Sequence, residues 1–154
     1  MTQIQKVVLT KKGLAELKRE HQGLLTKKRP EVVARLALAR GQGDLAENSE
    51  YTQARQDLAF IDGRIAELEK VISEARVIIS HSKTKVDVGC KVTLRIGGKK
   101  ETFTIVGEWE ADPAVQKISH SSPLGQALIG KKIGDKVEVE APVGKISYKI
   151  LEIK

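Results

Sequence analysis

Aromatic residues are scarce: Tyr51, Phe60, Phe103, Trp109 and Tyr148 make up 3% of 154 residues. So thin a set does not line the stacking platforms on which single-strand nucleic-acid binders lay successive bases. Cysteine occurs once, as Cys90, which excludes an intramolecular disulfide and a thiolate zinc cluster. A reducing cytoplasm suits such a chain, and a cytoplasmic protein is expected. No apolar run approaches the roughly 20 residues a membrane helix needs, so no membrane partner is expected. The opening Met1–Thr10 has neither the apolar core of a signal peptide nor an Arg/Ser-rich transit pattern. His21, His81 and His120 fall in different segments without metal-ligand spacing.

What is present is a chain with 40% hydrophobic and 31% charged residues, enough apolar material for a packed core. Its 27 basic and 20 acidic groups leave +7, which points to an acidic partner: nucleic acid, or a protein surface that works on it. The charge is spread along the chain. Residues 1–80 carry +3 and residues 81–154 carry +4. A dedicated DNA-binding module concentrates its charge on one face or helix.

The hydrophobic period changes once. In the first half, Thr10 reads as the N-cap of a helix whose apolar stripe runs from Leu14 and Leu17 through Leu24 and Leu25 to Val32, Val33, Leu36 and Ala39. Pro30 lies inside it, and a kink or break is expected near Lys28–Pro30, because proline removes a donor and clashes one turn back. Gly41-Gln42-Gly43 ends the helix in the manner of a left-handed cap. Leu58, Ile61, Ile65, Leu68 and Ile72 then recur at intervals of three and four, the seam of a second helix that Ala54 and Tyr51 extend toward the turn. Two such helices joined by a short loop run antiparallel. Arms of roughly 30 residues reach on the order of 45 Å, with the turn as a remote tip.

After Ile79 the period becomes two. Ser80–Lys85 reads as a linker. Val88 to Ile96 alternates as a strand, and Gly97-Gly98 signals a two-residue hairpin. Phe103, Ile105 and Val106 belong to the return strand. Ser122-Pro123 starts a short helix that Gly130 stops. Residues 137–140 and 146–150 alternate as two further strands. The expected fold class is α+β: a coiled-coil hairpin over 1–79, a linker at 80–85, and a small antiparallel sheet with one short helix over 86–154. Cys90 reads as a small core residue.

Candidate chemistry concentrates in residues 41–51. Asp44, Glu47 and Glu50 recur every three residues where the second helix begins. One reading is structural: Asp44 and Glu47 form a capping box, and acidic groups suit the helix dipole. The other is that Asp44 and Glu47 are hard oxygen ligands for Mg²⁺, too few to hold it alone and fitted to complete a site that a partner shares. The readings are compatible, since a cap also fixes the geometry of the tip.

The motif Gly43-Asp44-Leu45-Ala46-Glu47-Asn48-Ser49-Glu50-Tyr51, with Ala54-Arg55 after it, resembles the tip of the bacterial GreA/GreB family of transcript cleavage and elongation factors, nearer its GreA branch. The resemblance covers the whole chain, including Leu14–Leu17, Arg29–Glu31, Ile105–Gly107, Glu110–Asp112 and Ser122–Lys131. It implies an N-terminal antiparallel coiled coil and a C-terminal FKBP-like domain that binds the rim of the secondary channel of bacterial RNA polymerase. It also implies that Asp44 and Glu47 help hold the polymerase's second Mg²⁺ while the polymerase cleaves the 3′ end of backtracked RNA within the transcription complex on DNA. The chain is then not itself an enzyme but a monomer acting in trans, with no cofactor held stably alone. Asn48, Ser49 and Glu50 would support the tip. Tyr51 would either do the same or pack in the seam. Arg40 and Arg55 match basic positions that contact the extruded RNA, and Ser122, Pro123 and Leu124 are candidate polymerase contacts. Lys27, Lys28 and Arg29 form a further basic cluster beside the proline. Trp109 is either packing or polymerase contact. An FKBP-like fold raises prolyl isomerase activity, but Phe103, Trp109 and Tyr148 are too few to line that pocket. The alternative function is a non-cleaving regulator that occupies the same channel; the retained acidic tip argues against it.

Overall fold

The computed structural model describes residues 6–44, 47–79 and 83–154. The described residues of Ala15–Glu74 form one compact unit, and those of Met1–Leu14 and Ala75–Lys154 form another. The end of the hairpin sequence around residues 75–79 therefore clusters with the C-terminal part of the chain. Of the expected linker, residues 80–82, and with them His81, lie outside the described residues.

The hairpin is built from α1 (Lys11–Gly23), α2 (Arg29–Arg40) and α3 (Ser49–Glu74), with a π-helical turn over Leu24–Lys28. Ion pairs fix the direction of the arms. Arg64 Nε bonds Glu20 Oε1 at 2.8 Å, Arg29 Nε bonds Asp62 Oδ1 at 2.7 Å, and Arg35 pairs with Asp57. Rising numbers on one arm meet falling numbers on the other, so the arms are antiparallel. The guanidiniums of Arg29 and Arg64 are held above their ordinary pKa, chiefly by the hydrogen bonds to Asp62 and Glu20. The Asp57 carboxyl is held below its usual range, first by the Arg35 hydrogen bond and then by Gln53. Its contribution is therefore present at neutral pH and fades as acid protonates it. Such exposed pairs steer register more than they stabilise. The buried seam is apolar: Val32, Ile61 and Ile65 pack with Leu24 and Leu58. Nearer the tip it narrows to the small residues Ala39 and Ala54, both buried.

Pro30 does not break the helix. Gly23, Lys28 and Arg29 all keep right-handed helical dihedrals. The chain instead widens by one residue, and the Arg29 N–H reaches back five residues to the Leu24 carbonyl. A wide turn removes the clash between the proline ring and the preceding carbonyl, and Pro30 then sits in the first turn of α2, where its missing N–H costs little.

The other unit centres, among the described residues, on a five-stranded sheet in the order β5-β4-β3-β7-β6: β3 (Lys91–Ile96), β4 (Lys99–Val106), β5 (Lys117–Ser119), β6 (Lys136–Ala141) and β7 (Gly144–Ile153). The β3–β4 turn uses Gly97 and Gly98 at φ +53° and +84°, the conformation a tight two-residue hairpin requires. The sheet departs from the expected all-antiparallel form at one edge, where β5 pairs parallel to β4. Its inward residues Val92, Leu94, Ile105, Val137, Ile150 and Ile153 form the core with Cys90 and with Leu128 of α4 (Pro123–Leu128). Ser122 caps α4, its Oγ accepting from Gly125 N at 3.1 Å.

A second, smaller sheet was not visible in the hydrophobic pattern. β1 (Val7–Leu9) pairs parallel with β2 (Ala75–Val77), and Val8 and Ile78 pack on the core of the same unit. Glu110 ties this sheet down. Its Oε2 accepts from Thr10 N at 2.8 Å and Gly107 N at 3.2 Å, and its Oε1 accepts the Thr10 hydroxyl. That hydroxyl, its proton given to Glu110, keeps a lone pair for Gly13 N at 3.0 Å and so caps α1. Glu110→Ala strands two backbone donors and frees the cap. The expected loss is about 1–3 kcal/mol, read as a lower thermal midpoint; an unchanged midpoint would show that water replaces the carboxylate.

Candidate functional site

The tip is shaped by the end of α2 and the start of α3. The last turn of α2 tightens, with Gly41 N on Leu38 O at 3.1 Å and Gln42 N on Ala39 O at 3.2 Å. Gly41 itself stays right-handed at φ −75°; the positive φ the sequence leads one to expect falls on Gly43, at +117°. Leu45 and Ala46 lie outside the described residues.

The helix cap is not where the Asp44–Glu47 spacing puts it. Helix α3 begins at Ser49, and Asn48 is its N-cap: Asn48 Oδ1 accepts from Tyr51 N at 3.1 Å, and Asn48 O accepts from Thr52 N at 3.1 Å. Asp44 and Glu47 precede the helix. Three-residue spacing therefore does not align them on a face of α3, whose first turn Asn48 caps instead. Asparagine wins because its side chain carries a donor as well as an acceptor. Asn48 Nδ2 donates to Ala39 O at 2.7 Å, which ties the start of α3 to the end of α2 across the loop. An aspartate cap makes only the first of these bonds.

The carboxylates of Asp44 and Glu47 are both exposed. Ser49 and Glu50 are exposed as well, and Glu47, Asn48, Ser49, Thr52 and Gln53 line a shallow open depression. Arg40 and Tyr51 are brought together: the guanidinium lies 6.0 Å from the ring centroid, a cation–π contact, with the ring half-buried and the arginine exposed. Arg55 is exposed on α3. No group of three or more His, Cys, Asp or Glu side chains suited to a metal occurs among the described residues. The donor set fits a hard cation in kind, being carboxylate oxygen, but two carboxylates fall short of the six oxygens such a cation takes. Any cation here needs further ligands from outside the chain.

Ser122, Pro123 and Leu124 lie away from the tip in the chain, in the sheet-bearing unit. Ser122 Oγ is engaged in the cap and donates to Ser119 O at 2.6 Å, Leu124 packs partly on the core, and Pro123 is exposed. Trp109 is 37% exposed. His21 pairs with Glu69 at 3.1 Å, and His120 Nδ1 lies 3.4 Å from Val106 O.

Comparison with known families matches residues 7–77 to the GreA/GreB transcription elongation factor N-terminal model, and residues 81–154 to the corresponding C-terminal model. The chain belongs to the GreA/GreB family of transcription elongation factors. The transcription elongation factor GreA of Clostridium acetobutylicum is 47% identical over the full length of both chains. That of Thermoanaerobacter pseudethanolicus is 48% identical over 96% of this chain and 97% of the relative. Among solved structures, the GreA factor homolog 1 protein of Thermus thermophilus is 28% identical, covering 97% of this chain and 99% of that one, with a TM-score of 0.46. Within this GreA/GreB member the N-terminal model spans the hairpin together with β1 and β2, the C-terminal model spans the five-stranded sheet, and no helix among the described residues is long and apolar enough to cross a membrane.

Asn48 is the residue whose structural role the motif conceals. It sits inside an acidic run that draws attention to its neighbours, though an asparagine just before Ser-Glu-Tyr is itself a cap signal. Asn48→Ala is expected to cost about 1 kcal/mol through the lost cap and to speed amide exchange at Tyr51. Unchanged exchange there would remove Asn48 from the tip's support.

Proposed function

We propose that this chain stimulates the endonucleolytic RNA cleavage activity of bacterial RNA polymerase, reaching its active centre through the secondary channel and acting in trans on the 3′ end of backtracked RNA. The observation that carries the reading is the pair of exposed carboxylates, Asp44 and Glu47, at the loop end of an antiparallel hairpin whose apolar seam narrows to Ala39 and Ala54. A narrow arm can enter a channel and carry the two exposed carboxylates to a metal that the polymerase partly ligates.

In this reading Asp44 and Glu47 hold the weakly bound Mg²⁺ of the polymerase site. Bound there, the ion would activate a water and neutralise charge on the scissile phosphate. Asn48 holds the two helix ends together through Ala39 O and Tyr51 N, which limits how far the carboxylates stray. Tyr51 carries Arg40 on its ring face, so the guanidinium is positioned beside the tip, where it and Arg55 attract the RNA backbone. The sheet unit supplies the polymerase contact, with exposed Pro123 and Trp109 as its candidates. The test is cleavage of labelled RNA in a stalled, backtracked bacterial elongation complex with and without the protein. Stimulation supports the proposal, and binding without stimulation replaces it with a channel-occupying regulator.

A further inference from the structure

The outward face of the five-stranded sheet carries an arrangement that folding alone does not favour. Lys100 of β4 pairs in register with Arg95 of β3, Arg95 with Lys149 of β7, and Lys149 with Lys136 of β6. Residues paired across strands share a face. The four basic side chains therefore stand side by side across four neighbouring strands, and all four are exposed. Strand spacing of 4.7–4.9 Å makes the row about 14 Å long. None of the four pairs with a carboxylate among the described residues. Like charges directly opposite each other destabilise a sheet, so the row works against the fold that displays it.

We infer that this row binds the phosphate backbone of duplex nucleic acid without reading its sequence. Duplex DNA offers a phosphate about every 3.4 Å of axis on each strand, so a 14 Å row of cations meets several. The same face carries Glu152, in register with Thr93, and Glu138 and Glu140 on the Lys136 side of β6, but its basic groups outnumber these and the remaining flanking chemistry favours a phosphate partner. Beside the row lie Thr93 and Thr102, whose hydroxyls touch at 3.1 Å, and hydroxyls are ordinary partners of phosphate oxygens. A further row of the same face brings Lys91 beside Thr104 and Thr104 beside Lys117. The aromatic residues of these strands, Phe103 and Tyr148, pack against the core, so the face has no ring on which a single strand could stack. Nor does it present the aromatic or large apolar anchors on which protein interfaces depend. The proposal does not rest on the tip's role, because its assay contains no polymerase.

The test is fluorescence anisotropy of a labelled mixed-sequence 20-base-pair DNA duplex with the full chain, from 50 to 200 mM salt. The comparison is between Arg95→Gln/Lys149→Gln in the row and Lys131→Gln/Lys132→Gln outside it. The row variant is expected to bind about tenfold or more weakly and to lose about two from the slope of log affinity against log salt. The control pair, with the same change in net charge, should shift affinity far less. The row variant's thermal midpoint should equal or exceed that of the wild type, since repulsion is relieved. Equal weakening by both variants would reduce the effect to net charge, and no weakening by either would move binding to another surface. Row-dependent binding to a single-stranded RNA of the same length or to polyglutamate, but not to the duplex, would replace the proposed partner.

Discussion

Asp44→Asn is expected to lower stimulated RNA cleavage by about 100-fold or more while the protein still binds polymerase. Losing one anionic oxygen ligand from a shared cation forfeits several kcal/mol of charge stabilisation, and each 1.36 kcal/mol is tenfold in rate. The substitution keeps size and a hydrogen-bond acceptor. Asp44 is exposed and precedes the helix that Asn48 caps, so the thermal midpoint should stay within what about 0.5 kcal/mol produces. Glu47→Gln should behave alike. Raising Mg²⁺ should partly restore the variants, because weakened ligation is offset by mass action. If Asp44→Asn stimulates cleavage as fast as the wild type, the carboxylate is no ligand. If the wild type binds without stimulating cleavage, the chain is the channel-occupying regulator.

Gly107→Ala is expected to destabilise the sheet-bearing unit strongly. A Cβ at Gly107 would overlap the carbonyl oxygen of Val8, a backbone atom held in the β1–β2 pair. Its φ of −70° suits any residue, so the requirement for glycine is steric alone. Relief means pulling β1 away, which breaks the Gly107–Glu110–Thr10 bonds as well. Overpacking costs about 1–3 kcal/mol and each stranded donor about as much again. A fall of about 10 °C in thermal midpoint is the expected scale for a chain of this length. Tip chemistry measured at low temperature should change much less. A midpoint within 2 °C (about 0.5–1 kcal/mol) would mean that β1 yields without loss.

The hairpin was legible because its seam repeats at a helical period over many turns. Leu58, Ile61, Ile65 and Leu68 recur as a buried or half-buried stripe, as their spacing requires. The hairpin turn at Gly97-Gly98 was legible because few dipeptides tolerate two positive φ values in succession. The helix at Ser122-Pro123 was legible because cap and first-turn proline act locally. The acidic motif and its family resemblance also lie wholly in the order of residues.

Tertiary structure decided what depends on distant partners. Three-residue strands carry too little periodicity to announce themselves, so β1, β2 and the parallel edge strand β5 exist only through their neighbours. Glu110 reads as surface charge until Thr10, 100 residues earlier, is brought to it. The cap at the tip passed from Asp44 to Asn48 because only an amide can also reach Ala39 O on the other arm. Pro30 widened a helix instead of ending it because the arms on either side were already held by packing and ion pairs. The basic row across β4, β3, β7 and β6 is scattered from Arg95 to Lys149 in the sequence, and strand register alone assembles it.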